Sequence, residues 1–138
     1  MKLDKDLYKK ILDLCSKGKF YVKIGKNTKA VENYKKALEL IPEPKSDWRA
    51  SFWIYASIGD AYFFDCMYKE SLKAMLKALE FPESQENPLV LLRIGECFYE
   101  MREFDKAKNY LLKTYKIRNK KIFEDEDSKY FNLIKYDI

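Results

Sequence analysis

The sequence of 138 residues contains no histidine. That absence removes Ser-His-Asp and Cys-His nucleophile pairs and any histidine-ligated metal site. Glycine and proline are scarce, four of each. Neither GxGxxG nor GxxxxGKS/T occurs, so a phosphate-cradling loop has no support. The cysteines, Cys15, Cys66 and Cys97, are odd in number and far apart; this suits three small core thiols rather than a disulfide framework or a zinc site. No stretch approaches the ~20 apolar residues of a membrane span. The opening MKLDKDLYKK is too polar for the middle of a secretory signal. These absences together predict a cytoplasmic, non-catalytic chain with no catalytic residue, metal, cofactor or small-molecule substrate.

What is present is a core-forming composition: 47% hydrophobic and 16% aromatic residues, with 27 Lys and Arg against 22 Asp and Glu, a formal charge of +5. Such a chain can bury a core of its own, and its length fits one domain spanning 1–138. Three segments then superpose: CSKGKFYVKIGKNTKAVENYKKALELIP, YASIGDAYFFDCMYKESLKAMLKALEFP and LLRIGECFYEMREFDKAKNYLLKTYKI. Each carries Gly, an aromatic at +3, a small residue nine further on, a large one at +4 and a small one at +3. The residues are Gly18, Tyr21, Ala30, Tyr34, Ala37; Gly59, Tyr62, Ser71, Met75, Ala78; and Gly95, Phe98, Ala107, Leu111, Thr114. Small residues let paired helices approach closely, and the large ones fill the space between pairs. Leu72, Met75, Leu76 and Leu79 share one helical stripe. Asn87-Pro88 reads as an N-cap and first helical residue, and Ser46 as the N-cap of a helix beginning near Asp47.

This pattern resembles the tetratricopeptide repeat (TPR), a 34-residue helix–turn–helix unit. The resemblance implies an all-α, right-handed α-solenoid of three repeats at about 11–44, 52–85 and 88–121, with a capping helix within 122–138. Expected helices run at about 4–24, 28–41, 47–65, 69–81, 88–101, 105–118 and 127–136. Phe131, Leu133, Ile134 and Tyr136 are the expected cap residues. Departures are the spacing of the repeats, Lys17 in an apolar slot, and Thr114 and Asn119 late in the third unit.

The resemblance further implies that the first helix of each unit lines an inner groove. Its slots carry Leu12, Cys15, Ser16, Lys19, Val22 and Lys23; then Trp53, Ala56, Ser57, Asp60, Phe63 and Phe64; then Leu89, Leu92, Arg93, Glu96, Tyr99 and Glu100. The expected partner-binding set on this concave face is Lys19, Lys23, Trp53, Ser57, Asp60, Phe64, Arg93, Glu96, Tyr99 and Glu100. A second set lies near the C-terminus: Glu124, Asp125, Glu126, Asp127, Tyr130 and Phe131. For Phe63 and Trp53, core and groove placements both stay open. Of a chaperone-type carboxylate clamp, only Lys19 and Arg93 have the right chemistry, which disfavours a chaperone-tail adaptor.

Aromatic anchors inside a polar rim suit protein binding, so another protein is the expected partner. The strings WIYASIGDAYFF, NPLVLLRIGECFYE and IFEDEDSKYF look like those of small standalone bacterial repeat proteins, some of which are toxin-immunity proteins. That likeness implies an immunity protein that binds and neutralises a secreted toxin's catalytic domain. The alternative is a TPR scaffold or chaperone adaptor holding an extended peptide of its partner. A third reading, nucleic-acid binding through the basic N-terminal helix, is weaker, because its lysines go round much of the helix and no stacking platform accompanies them. On the protein-binding readings, charge reversal at Glu96 and Glu100 is expected to weaken the complex without unfolding the chain.

Overall fold

The computed structural model describes residues 3–138, apart from the side chain of Glu83. Among the described residues seven α-helices follow one another: α1 (Lys5–Lys23), α2 (Asn27–Leu40), α3 (Arg49–Phe64), α4 (Tyr68–Leu79), α5 (Pro88–Glu100), α6 (Phe104–Arg118) and α7 (Ser128–Ile134). No strand occurs among the described residues. Contacts are densest within the pairs α1/α2, α3/α4 and α5/α6, and next densest between consecutive pairs. The molecule is therefore an α-solenoid of three helix pairs with α7 packed on α6 and the 3-10 turn at Lys120–Phe123.

The helix pairs repeat one corner three times. Gly25, Cys66 and Arg102 have φ of 78°, 60° and 62°, just past the ends of α1, α3 and α5. The next residue donates its N–H to the carbonyl of the aromatic three residues past each repeat glycine: Lys26 to Tyr21 at 2.8 Å, Met67 to Tyr62 at 3.0 Å, Glu103 to Phe98 at 2.9 Å. The left-handed residue itself bonds one turn back, to Val22, Phe63 and Tyr99. This double closure of a helix C-terminus satisfies carbonyls that the helix leaves unpaired, and it reverses the chain. Only the first corner uses glycine, the residue without steric penalty at positive φ.

The three glycines inside the first helices do a different task. A Cβ on Gly18 would lie 2.5 Å from the Tyr34 ring; on Gly59 it would lie 2.8 Å from Met75, and on Gly95 2.8 Å from Leu111. Each glycine thus receives the large residue of its partner helix. The small residue marks the close approach that the sequence predicts, but the large one fills space inside the pair, whereas the repeat pattern puts it between pairs. Gly18→Ala should lower stability by roughly 1–3 kcal/mol through overpacking. Gly59→Ala should lose less, because the unbranched Met75 side chain can swing aside, whereas the Tyr34 ring is rigid and buried. Urea unfolding of the two variants checks the order; equal or inverted losses would contradict this account.

Two apolar clusters form, and the middle pair contributes to both. Ile54, Ile58, Ala61 and Ala74 pack with Ile11, Val31, Tyr34 and Ile41. Phe52, Leu72, Met75 and Ala78 pack with Leu92, Ile94, Phe98 and Leu111, and this cluster extends to Phe123, Tyr130 and Ile134 of the cap. Polar atoms stitch the same elements: Ser71 Oγ donates to the Gly59 carbonyl at 2.7 Å, and Cys97 Sγ donates to Ser71 Oγ at 3.3 Å. Burial pushes the Cys97 thiol up to about 11, so it behaves as a small core group.

Three expectations need correction. The helix expected from Asp47, capped by Ser46, starts instead at Arg49, because Lys45–Asp47 forms a 3-10 turn and Trp48 is extended at φ −113°, ψ 124°. Ser51 Oγ fixes that turn by donating to the Lys45 carbonyl at 2.7 Å. Leu76 does not share the buried stripe of its neighbours; it is exposed. In the cap, Tyr136 is 89% exposed and lies past the end of α7, while Tyr130 and Ile134 are the buried residues. By contrast, Asn87 caps α5 as its position before proline predicts, accepting from Leu89 N at 3.0 Å and Val90 N at 3.3 Å.

Candidate functional site

Helices α1, α3 and α5 lie side by side, and the face they share divides into an open end and a closed end. The open end is a trough of about 810 Å³ between α1, α3 and residues 47–50. Its floor is buried Ile11, Tyr34 and Ile54. Over that floor stand Tyr8, Leu12 and Trp53, which are 49%, 46% and 52% exposed. Large apolar side chains left half in water beside a recess are the usual anchors of a binding surface. Cys15 and Ser57 line the middle; burial raises the Cys15 thiol and Lys19 pulls it back. Charged groups form the rim: Lys5, Lys19 and Arg49, against Asp47.

The closed end is organised by Arg93. Its Nε donates to Asp60 Oδ1 at 2.8 Å and its Nη1 to Glu96 Oε1 at 2.8 Å, with Glu126 Oε1 at 3.4 Å. The guanidinium lies over the Phe63 ring at 4.2 Å and the Phe64 ring at 5.4 Å. Delocalised charge stacked on aromatic faces, with its fork of donors on carboxylates, is the arrangement arginine suits and lysine does not. Glu96 is fully buried, and its Oε2 has no hydrogen-bond partner within the described protein. Burial pushes its carboxyl up to about 9, aided by the neighbouring Glu126 and opposed by Arg93. Glu96 is thus protonated at neutral pH, and Arg93 serves as counter-ion to Asp60 and Glu126.

The segment before α7 completes the closure. Asp127 caps the helix, accepting from Lys129 N at 3.0 Å. Tyr130 OH donates to Glu100 Oε1 at 2.7 Å, and Lys129 pairs with the same carboxylate. The Tyr99 ring stands edge-on between Phe104 and Tyr130, with centroids 5.1 and 5.2 Å away.

Of the residues expected on this face, Lys19, Lys23, Trp53 and Phe64 are exposed, and Ser57 and Asp60 are half-buried. Glu96 is not on the surface at all, so it offers no charge to a partner. Leu92, placed in a groove slot, is buried as well. Arg93 and Glu100 are engaged within the fold, and Phe63 and Tyr99 are half-covered by their aromatic neighbours. In the C-terminal set, Tyr130 is only 5% exposed and belongs to the core; Phe131 and Glu126 are half-buried, and Glu124, Asp125 and Asp127 are exposed. The sequence reading missed Tyr8, Trp48 and Arg49. Tyr8 precedes Leu12 by one helical turn, and that spacing was the available signal. Trp48 in the connecting segment and Arg49 at the start of α3 come into the trough through the path of that segment, whose shape no repeat pattern encodes.

A family model described as tetratricopeptide repeat matches residues 14–44. No curated protein matches the chain. Among solved structures, the fold is similar to the Arabidopsis OM64 TPR domain at 16% identity, covering 94% of this chain and 95% of that one, with a TM-score of 0.71. It is similar to the second TPR domain of human RPAP3, solved with the HSP70 peptide SGPTIEEVD, at 16% identity over 94% and 96% of the two chains, with a TM-score of 0.69. The Yersinia enterocolitica type III secretion chaperone SycD, in complex with a peptide of the translocator YopD, matches at 14% identity over 99% and 95%, with a TM-score of 0.73. Three helix pairs, the glycine-into-large-residue packing within each, and these whole-length matches make the fold of this chain that of tetratricopeptide-repeat domains.

Proposed function

We propose that the protein is a non-catalytic binding module whose open trough holds a segment of a partner protein. The observation that carries this reading is the trio Tyr8, Leu12 and Trp53, left half-exposed over an apolar floor although the chain has core enough to bury them. Two of the similar domains were solved with peptides of other proteins, which supports a peptide-holding use of this fold here. The narrower reading, neutralisation of a toxin's catalytic domain, has less to work with. Asp60, Glu96, Glu100 and Glu126, four of the acids it would set against a basic enzyme, are engaged inside the fold, Asp127 is exposed but caps α7, and Glu124 and Asp125 are left to face a partner.

Trp53→Ala should weaken partner binding at least tenfold, as truncation of a central aromatic anchor does. Its thermal stability should stay close to that of the wild type, since half the ring is already in water. The measurement is affinity for a partner captured from the native cell, compared for the wild type and the variant by titration. Undiminished binding by a folded Trp53→Ala protein would remove the trough from the interface. An immunity role makes a separate demand: co-expression must rescue cells from the toxin encoded beside it.

A further inference from the structure

We infer that the trough selects an extended acidic segment of about six residues carrying at least one bulky apolar side chain, and that it reads this segment internally, without a free terminal carboxylate. The inference rests on the groove-binding reading above and adds the chemistry of the occupant.

Length follows from what is open. The trough runs along α1 from Lys5 to Lys19, a separation of about 21 Å at the rise of an α-helix. An extended chain covers that distance in about six residues. Beyond Lys19 the face is blocked, because Phe63, Phe64 and Arg93 are packed together and Glu126 and Tyr130 fold over α5. Sign follows from the rim. Three cations, Lys5, Lys19 and Arg49, surround the apolar floor, with Asp47 the single carboxylate among the lining residues. Asp60, next along α3, has its charge met by Arg93. A segment with carboxylates flanking an apolar anchor is complementary to this field, and a basic one is repelled.

The mode of reading follows from what the trough does not offer. Gripping a chain end needs several fixed donors converging on one carboxylate. Here the middle of the trough holds Cys15 and Ser57, Leu89 points to another recess beside Arg118 and Lys121, and Arg93 is already bonded to the protein's own acids. The rim cations are exposed and spread over both walls, so they recognise charge along a segment rather than one terminus.

The test is selection of random twelve-residue peptides, displayed with their C-termini blocked, on the full-length protein, followed by titration of synthetic versions. The expected consensus is net negative with a bulky apolar residue. Amidated and free-acid forms should bind within twofold of each other. Inverting the acidic residues to lysine should weaken binding at least tenfold, and so should Lys19→Glu combined with Arg49→Glu. Raising the salt concentration should weaken it further. A neutral or basic consensus that still requires Trp53 would overturn this inference while leaving the groove reading intact. So would loss of binding on amidation. Enriched peptides indifferent to Trp53→Ala, or no enrichment at all, would overturn both.

Discussion

Replacing Arg93 with methionine is expected to destabilise the protein by about 1.5–3 kcal/mol, the range for losing hydrogen bonds to charged groups, since Asp60 and Glu126 keep part of their side chains in water. The substitution keeps most of the aliphatic volume over Phe63 and removes the charge, leaving Asp60 and Glu126 facing each other with no cation between them. Because Glu126 comes from the segment leading into α7, the damage should be directional. Amides of residues 124–134 should lose protection from hydrogen exchange before those of α1 and α2. Adding Glu126→Gln to Arg93→Met should recover part of the loss, since it removes one of the stranded charges. A non-additive double-mutant cycle would be the signature of that coupling. Unfolding of Arg93→Met within 1 kcal/mol of the wild type would mean that the cluster is decoration.

Glu96→Gln should act in the opposite direction and only in one pH range. In the unfolded chain a glutamate loses its proton above a pKa of 4.5, whereas in the folded protein Glu96 holds it until about 9. The folded state therefore binds one more proton throughout that interval, and stability falls as pH rises from about 4.5 to about 9. Glutamine imitates the protonated acid: its oxygen can accept from Arg93 and its amide can donate towards Glu126. It is neutral in the unfolded chain as well, so the penalty vanishes. The variant should be more stable by about 3 kcal/mol at pH 7, from 1.36 kcal/mol per pH unit over the interval above 4.5. The difference should shrink towards nothing at pH 4.5. Thermal melts of both proteins across that range are the measurement. A variant less stable than the wild type at pH 7 would show that Glu96 is ionised and paired with Arg93.

Glu96 also shows where reading the sequence stops. Its position one residue past Gly95 puts it on the same side of α5 as Arg93 one turn earlier, yet it is buried there and not open to a partner. Which face a helical residue occupies is a matter of local geometry, and periodicity reports it. What covers that face is not local. Asp60 and Glu126 each reach Arg93 across 33 positions, and no pattern within one repeat encodes such a meeting. The same division holds for the aromatics. The close approach of paired helices at Gly18 and Gly95 was legible because the repeat places small residues there; that Tyr34 and Leu111 fill the space inside each pair was not. Tyr130, read as a surface contact, turned inward because its hydroxyl found Glu100 and its ring found Tyr99. At the other end, Trp48 entered the trough because a 3-10 turn redirected a stretch that helical propensity alone would have continued.

The middle helix pair, with Ile54, Ile58, Ala61 and Ala74 turned to one neighbour and Phe52, Leu72 and Met75 to the other, has a consequence for how the molecule comes apart. Repeat arrays melt piecemeal when each unit can stand on its own and junctions are weak. Here the central unit divides most of its buried apolar surface between its two neighbours. Peeling away either end strips half of the centre's apolar cover, and what remains has fewer than the three stacked pairs that repeat architectures need to stand. The chain is therefore built to melt in a single step, without a surviving stub.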